Sequence, residues 1–219
     1  IYPFTESCNI YISDRSNGLF VVDFPGCVNS DPFDDALSLS TGWNLMSFDV
    51  EIENNSPVEA FEDLISNGNL VYVTGFDEAG AIFFDPFGLL FLNTLTAIEP
   101  GEGYWVKVNN GAELVQQGYA VSNEFTVDLM ASWSLLGYWL QESNTPELAF
   151  AELIETENLM YVTGYNESGA ELFDPNGLPF LNSLTSLDNS FGYWVKVHDA
   201  VEGFQYPEPA AALAKTVPR

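Results

Sequence analysis

The stretch LVYVTGFDEAGAIFFDPFGLLFLNTLTAIEPGEGYWVKV, residues 70–108, occurs again in similar form as LMYVTGYNESGAELFDPNGLPFLNSLTSLDNSFGYWVKV, residues 159–197. The two copies align without a gap at an offset of 89 residues, the distance from Tyr72 to Tyr161. From Tyr72 and Tyr161 onward, 23 of the 37 aligned positions are identical, far more than chance would give. The chain therefore contains two copies of one small unit.

The match continues upstream more weakly, with one residue inserted or deleted, so that Trp43 corresponds to Trp133. We predict an N-terminal β-hairpin segment over residues 1–30, repeat unit 1 over residues 37–118, repeat unit 2 over residues 123–204 and a C-terminal tail over residues 205–219. Units of about 70–80 residues are near the lower limit for independent folding, so each unit is expected to pack on its neighbour.

Within a unit the pattern predicts a strand, a short helix, a hairpin and a final strand. Residues 43–50 alternate large apolar and smaller side chains, as a half-buried strand does. Ser56 is placed as a helix N-cap, with Glu59 positioned to complete a capping box. A turn at residues 77–80 separates two apolar runs and indicates a β-hairpin. We therefore predict a β-rich α+β fold, in which each unit is a mainly antiparallel sheet with one short helix.

The first thirty residues lie outside the duplication. Asn17-Gly18 between apolar runs is a strong signal for a hairpin turn. The two cysteines, Cys8 and Cys27, are predicted to form a disulfide, and the alternative is two buried thiols. Because the chain starts at Ile1, within an apolar strand pattern, we expect a processed or partial chain.

Acidic residues dominate the charge of the chain. It has 32 Asp and Glu against 5 Lys and Arg, a formal net charge of −27. Nucleic acids and anionic membranes need clustered basic residues, so both are excluded as partners. No run of about 18 apolar residues occurs, which predicts that no segment spans a membrane. The acidity favours solubility, cation binding and tolerance of salt, as expected of a secreted or cell-surface protein.

Residues that could form a catalytic site are scarce. His198 is the single histidine, and Asn109 stands at the equivalent position of unit 1. Asp85 and Asp174 match between the copies, but an Asp-Pro turn explains both. We predict that the chain is not an enzyme.

Calcium is the cation that this composition favours, because it binds several carboxylate oxygens. Asp31, Asp34 and Asp35 form the densest acidic cluster, in a predicted linker before unit 1, and they do not match an EF-hand loop. The alternative is a solvated acidic linker without bound metal.

Aromatic residues at matched positions are the candidate ligand-binding residues. They are Trp43, Tyr104, Trp105, Trp133, Tyr193 and Trp194. Outward rings of this kind can stack on sugars. Adjacent Tyr and Trp residues in a strand point to opposite faces, so at least one of each pair is expected in the core. The alternative is that the tryptophans also belong to the core.

Two of the five basic residues, Lys107 and Lys196, occupy equivalent strand positions. We expect each to form an ion pair with a neighbouring carboxylate. The alternative is a covalent Lys-to-Asn crosslink, for which Asn93 and Asn182 are the matched candidates.

The words GWNLMSFDV (42–50), SPVEAFEDLI (56–65), LVYVTGFDEAG (70–80) and GEGYWVKV (101–108) resemble a repeat of secreted bacterial and archaeal surface proteins. The resemblance implies an accessory module of a large exported protein and brings no catalytic residues. Residues 9–24 are similar to a blade hairpin of LVIVD-type β-propeller repeats in secreted bacterial proteins.

Repetition, acidity and the scarcity of catalytic residues favour a structural or interaction role outside the cell, as a stalk, filament or surface-assembly subunit that binds protein, including other copies of itself. The alternative function is a carbohydrate-binding module attached to a secreted enzyme or adhesin.

Overall fold

The fold is β-rich α+β, as the sequence predicts, in a computed structural model that describes residues 9–14, 18–23 and 32–209. The strands are β1 Asn9–Asp14, β2 Gly18–Asp23, β3 Phe33–Leu39, β4 Gly42–Ser47, β5 Val50–Glu51, β6 Leu70–Asp77, β7 Gly80–Phe84, β8 Gly103–Val108, β9 Ala112–Ala120, β10 Val127–Leu129, β11 Ser132–Gly137, β12 Leu159–Asn166, β13 Gly169–Phe173, β14 Gly192–Val197 and β15 Val201–Phe204. The helices are α1 Pro57–Ala60, α2 Glu62–Ser66, α3 Pro146–Ala149 and α4 Ala151–Glu155, with 3₁₀ turns at Leu90–Leu92 and Pro179–Leu181.

Each unit is built on a four-stranded antiparallel sheet, and the strand order is the same in both. The order is β4-β8-β6-β7 in unit 1 and β11-β14-β12-β13 in unit 2. The register also matches, since Trp43 pairs with Lys107 and Trp133 pairs with Lys196. The duplicated sequence therefore specifies one sheet twice, down to the cross-strand neighbours.

Each sheet is flanked by an equivalent strand pair, which is longer in unit 1 than in unit 2. In unit 1, β3 and β5 pair with β9 in a three-stranded sheet, and in unit 2, β10 pairs with β15. The placement of Asp34 and Asp35 in a linker was wrong, because β3 pairs with β9 continuously from Phe33↔Gly118 to Leu39↔Ala112.

The predicted helix is present in each unit, but a buried phenylalanine divides it. Phe61 separates α1 from α2 at φ −119°, ψ 23°, and Phe150 does the same in unit 2 at φ −114°, ψ 24°. Ser56 caps α1 by accepting a hydrogen bond from the Glu59 N–H at 3.3 Å. The Ser56 N–H donates to Asn54 Oδ1, which takes the place predicted for the Glu59 carboxylate. The capping box is therefore half-formed.

Each unit has its own hydrophobic core on one face of its sheet. Phe48 contacts Phe61 and Tyr104 edge-on in unit 1. In unit 2, Trp139 and Tyr206 pack with ring centroids 4.5 Å apart, and both are fully buried. Residue 206, assigned from sequence to the tail, thus belongs to the core of unit 2. Burial of large side chains of this kind stabilises the fold by about 1.5–3 kcal/mol each.

The N-terminal hairpin predicted for residues 1–30 is present as the antiparallel pair β1 and β2, in register from Asn9↔Asp23 to Asp14↔Gly18. The turn residue Asn17 and the predicted disulfide cysteines, Cys8 and Cys27, lie outside the described residues.

Candidate functional site

The two units meet across a pseudo-twofold axis, which relates contacts of one unit to equivalent contacts of the other. The Ser47 N–H donates to Ser190 O at 2.9 Å, and the Gly137 N–H donates to Gly101 O at 2.8 Å. These two bonds are equivalent once the units are exchanged. Strand pairing likewise passes from the end of β4 to the residues before β14, and from the end of β11 to the residues before β8. The units are therefore joined by backbone hydrogen bonds.

Small residues allow the two sheets to approach at this axis. A β-carbon built on Gly192 would lie 2.8 Å from Met46 O, and one built on Gly103 would lie 3.0 Å from Leu135 Cγ. At the axis, a β-carbon built on Gly137 would lie 2.6 Å from Ser47 Cβ. The contacts at Gly137 and Gly192 are too short for a side chain and the contact at Gly103 is tight, so glycine at these positions sets the spacing between the units.

The predicted ligand-binding set divides between two faces of each sheet. Tyr104 and Tyr193 are buried in the cores. The Tyr104 hydroxyl accepts from the Glu99 N–H at 2.8 Å, and the Tyr193 hydroxyl accepts from the Asp188 N–H at 2.9 Å. Their inclusion among the candidate ligand-binding residues was wrong, because a ligand at the surface cannot reach these buried rings.

The four matched tryptophans lie on the opposite, outward face and are half-buried. Trp43 and Trp105 are perpendicular with centroids 6.2 Å apart, and Trp133 and Trp194 are perpendicular at 6.1 Å. The prediction that at least one ring of each Tyr-Trp pair is in the core therefore holds.

The two matched lysines lie over these rings. Lys107 Nζ is 5.3 Å from the Trp43 ring centroid, and Lys196 Nζ is 5.2 Å from that of Trp133. In the described part of the chain, the expected ion pairs with carboxylates are replaced by these cation–π contacts.

Each tryptophan cluster also receives one ring from the other unit. Tyr165 lies 5.1 Å from Trp105, and Phe76 lies 5.2 Å from Trp194, between ring centroids. Phe76, Trp133, Thr163 and Trp194 line a shallow surface depression of about 400 Å³. An open apolar depression of this kind can accept one face of a flat ligand such as a sugar ring.

Two larger clefts lie between the units, related by the same axis, with volumes of about 600 and 500 Å³. The larger is acidic, and its carboxylates are those of Asp77, Glu78, Glu99, Glu102, Asp128 and Glu202. Burial raises the pKa of Glu102, while the hydrogen bond from the Tyr104 hydroxyl, at 3.0 Å, opposes the rise. In the smaller cleft Phe191 stands in the place of Glu102.

The predicted calcium ligands do not converge within the described residues. Asp34 and Asp35 are adjacent in β3 and point to opposite faces. Asp34 Oδ1 accepts from Gln117 Nε2 at 2.8 Å, and Asp35 Oδ2 accepts from Ser190 Oγ at 2.6 Å. Asp31 lies outside the described residues. In the described part of the chain, no group of three or more His, Cys, Asp or Glu side chains is arranged to hold a metal ion.

A buried carboxylate at the junction was missed by sequence reasoning. Asp49 is fully buried, and its Oδ2 accepts from Gln141 Nε2 at 3.0 Å and from Asn189 Nδ2 at 3.1 Å. Its Oδ1 lies 3.2 Å from Ser190 Oγ, which also contacts Asp35. Burial raises the pKa of Asp49, and the hydrogen bonds oppose the rise in part. The polar core of the junction thus comes from one unit's carboxylate and the other unit's donors.

Sequence reasoning also missed two exposed apolar loops, one in each unit. We name residues 85–93 loop 1 and residues 174–182 loop 2; each contains one of the 3₁₀ turns. The large exposed side chains are Phe87, Leu89, Leu90, Phe91 and Leu92 in loop 1 and Leu178, Phe180 and Leu181 in loop 2. A signal was available, since residues 86–98 and 175–187 contain no charged residue in either copy of an otherwise acidic chain.

Comparison with known protein families, curated proteins and solved structures gives no match to this chain. Within the described residues, no helix is both long and apolar enough to cross a membrane.

Proposed function

We propose that this chain is a non-catalytic extracellular protein with a structural role, a subunit of a surface assembly, stalk or filament, and that loops 1 and 2 are its docking surfaces. The observation that carries the proposal is the presence of an exposed apolar loop at the same place in both units. Large apolar patches that stay exposed on a folded protein mark interaction sites.

The frame beneath the loops supports this role. Backbone hydrogen bonds across the pseudo-twofold axis join the two units, so that the loops are carried on a single support. An acidic surface keeps such a subunit soluble in salt. The resemblance of the repeat to those of exported surface proteins points in the same direction.

Surface retention in cells tests the proposal. Intact cells that produce the protein are labelled with antibodies against it, with a deletion strain as the control. We expect label on the exterior with the wild-type chain, and release into the medium with the double variant Phe91→Asp/Phe180→Asp at equal protein levels. Label confined to the cell interior, or retention of the double variant at the wild-type level, would contradict the proposal.

A carbohydrate-binding role is the second candidate, and the four outward tryptophans favour it. Half-buried rings at matched positions can stack on sugars at two related places. Titration with soluble polysaccharides, followed by tryptophan fluorescence, tests this role. Binding that is lost in Trp133→Ala and Trp43→Ala supports it, and unchanged fluorescence across the polysaccharides rules it out.

A further inference from the structure

We propose that the occupant of loops 1 and 2 is a second copy of this chain, and that copies join end to end through them into an open chain. This inference rests on the proposed function, because it names the partner of the same two loops.

The exposed area of loop 1 is large for a monomer. Phe87, Leu89, Leu90, Phe91 and Leu92 are 65%, 61%, 75%, 80% and 49% exposed. With roughly 200 Å² for a fully exposed large side chain, these residues offer about 650 Å² of apolar area. The largest apolar patch on a typical monomer is about 300–600 Å², and a standard interface takes about 800 Å² from each partner. Loop 1 therefore approaches the area that a stable contact needs.

Loop 2 repeats the feature on a smaller scale. Leu178, Phe180 and Leu181 are 57%, 79% and 61% exposed, which corresponds to about 400 Å² on the same basis. Asn176 stands where loop 1 has Phe87, and Pro179 where it has Leu90. We therefore expect loop 1 to make the stronger contact.

A hydrogen-bonded clamp holds each loop in shape. In loop 1, Asn93 Oδ1 accepts from the Asp85 N–H at 2.9 Å, and Asn93 Nδ2 donates to Asp85 O at 3.1 Å. Asn182 and Asp174 make the same two bonds in loop 2, at 2.9 and 3.2 Å. Because the loops are ordered before any partner arrives, docking loses little conformational entropy. The clamp also occupies the two asparagines that were candidates for a crosslink to lysine.

The segments after the loops cover part of each outer sheet edge. The Thr94 and Leu95 N–H groups both donate to Phe83 O at 2.9 Å, and the Ser183 and Leu184 N–H groups donate to Leu172 O. Strand addition at this point is therefore hindered, and the apolar side chains of the loops are the accessible contact surface.

The charge distribution favours a second copy as the occupant. A chain of net charge −27 repels another copy and any anionic surface over most of its area. Residues 86–98 and 175–187 carry no charge, so these are the places where two copies meet with the least repulsion. A cationic partner would be recognised by carboxylates within the patch, and both segments lack them. The uncharged apolar patch of one copy can therefore pair with the like patch of another.

The arrangement of the sheets makes this contact open-ended. In the overlap of the units, β4 lies against β12 and β14, and β11 lies against β6 and β8. The outer strands β7 and β13, which lead into the loops, lie outside that main overlap and on opposite sides of it. A subunit with like surfaces at two opposite edges can bind a neighbour at each, so association continues as a chain.

Sedimentation velocity of the whole chain at low and high salt tests the inference. In about 0.01 M NaCl the Debye length is roughly 30 Å and repulsion keeps the protein monomeric, whereas in about 1 M NaCl it is roughly 3 Å and we expect species larger than a dimer. Either single variant, Phe91→Asp or Phe180→Asp, limits association to a dimer at most. The double variant stays monomeric.

Leu148→Asp is the matched control, because Leu148 is an apolar side chain, 50% exposed, in α3 and outside both loops. It adds the same charge and is expected to assemble as the wild type does. Far-ultraviolet circular dichroism of each variant confirms that the sheets are intact. Because the substituted phenylalanines are exposed, the variants are expected to fold.

A wild-type chain that stays monomeric in high salt, or a double variant that assembles like the wild type, overturns the inference. Flotation with phosphatidylcholine vesicles tests whether the loops bind a lipid surface instead. A monomer in high salt that binds vesicles through the loops would assign them to a lipid surface and would also overturn it. If purified protein stays monomeric while surface retention in cells still depends on the loops, self-association fails and the proposed function stands.

Discussion

Units 1 and 2 each contain a four-stranded sheet with the same strand order and register. They differ at the second residue after the first strand of that sheet. Asp49 in unit 1 corresponds to Trp139 in unit 2, and both are fully buried. Asp49 binds donors of the opposite unit, whereas Trp139 packs on Phe125 and Tyr206 within its own unit. The two copies of the unit therefore differ in role. Unit 1 supplies the buried carboxylate of the junction, and unit 2 has the larger hydrophobic core.

The largest loss of stability is expected from removing the Trp139 ring, which has no counterpart in unit 1. Trp139→Ala leaves a cavity beside Phe125 and Tyr206, and should lower the free energy of unfolding by about 3–5 kcal/mol. Urea denaturation followed by circular dichroism measures it. Trp139→Phe is the matched control with a smaller loss, since the indole nitrogen makes no hydrogen bond within the described residues. Equal losses for the two variants would contradict this account of the core.

The next largest loss of stability is expected at the pseudo-twofold axis between the units. Gly137→Ala places a β-carbon 2.6 Å from Ser47 Cβ and 2.8 Å from Glu102 O, so the two sheets must separate. We expect a loss of about 1–3 kcal/mol in urea denaturation. Gly111→Ala is the control away from the axis, and it should lose less, because its β-carbon would meet Leu39 O at the longer distance of 3.3 Å. Tolerance of Gly137→Ala at the wild-type level would mean that the units are not packed as described.

A pH-dependent difference is expected at Asp49. Because burial raises its pKa above the ordinary value of 3.8, the folded state binds the proton more tightly than the unfolded state. Its contribution to stability is therefore full below pH 3.8 and is lost as the pH rises through the raised pKa. In Asp49→Asn, the amide oxygen can accept from Gln141 and Asn189, and its nitrogen can donate to Ser190 Oγ.

Urea denaturation of both proteins across this pH range tests the assignment. The free energy of unfolding of Asp49→Asn should rise relative to that of the wild type as the pH increases from 3.8, and the two curves should keep a constant separation at lower pH. A separation that shrinks with increasing pH would contradict the assignment, because it would mean that the folded state favours the charged carboxylate.

The smallest effect is expected where unit 2 has lost a glycine of unit 1. Ser132 has φ 82° at the position of Gly42, which has φ 97°. Ser132→Gly should stabilise the chain by about 0.5–1 kcal/mol, the left-handed penalty of roughly 1–2 kcal/mol less the entropy that glycine loses on folding. Thermal denaturation measures the gain. Ser190→Gly is the informative contrast, because Ser190 also has positive φ but binds Asp35 and Asp49, and it should be destabilising.

The sheets could be predicted because their signals are local and are repeated. The alternation in GYWVKV separates Tyr104 from Trp105 and Tyr193 from Trp194 without reference to distant residues. The β3–β9 pair was missed because it joins segments about 80 residues apart, and its counterpart in unit 2, the β10–β15 pair, is shorter. Asp49 was missed for a similar reason, since its partners lie 92 to 141 residues away in sequence.

The apolar loops were missed for a different reason. Their residues look like core residues in sequence, and only the structure places Phe91 and Phe180 at the surface. The absence of charge in both copies of an acidic chain could have marked them. Comparison of the two copies for shared composition, as well as for identity, would have found this signal.

Hydrogen exchange of the intact chain, followed by mass spectrometry in low and in high salt, tests directly whether these loops are the docking surfaces. We expect slower exchange of backbone amides in loops 1 and 2 in high salt, and no such change in the double variant Phe91→Asp/Phe180→Asp under the same conditions. Protection that develops elsewhere while both loops exchange as freely as before would contradict this assignment.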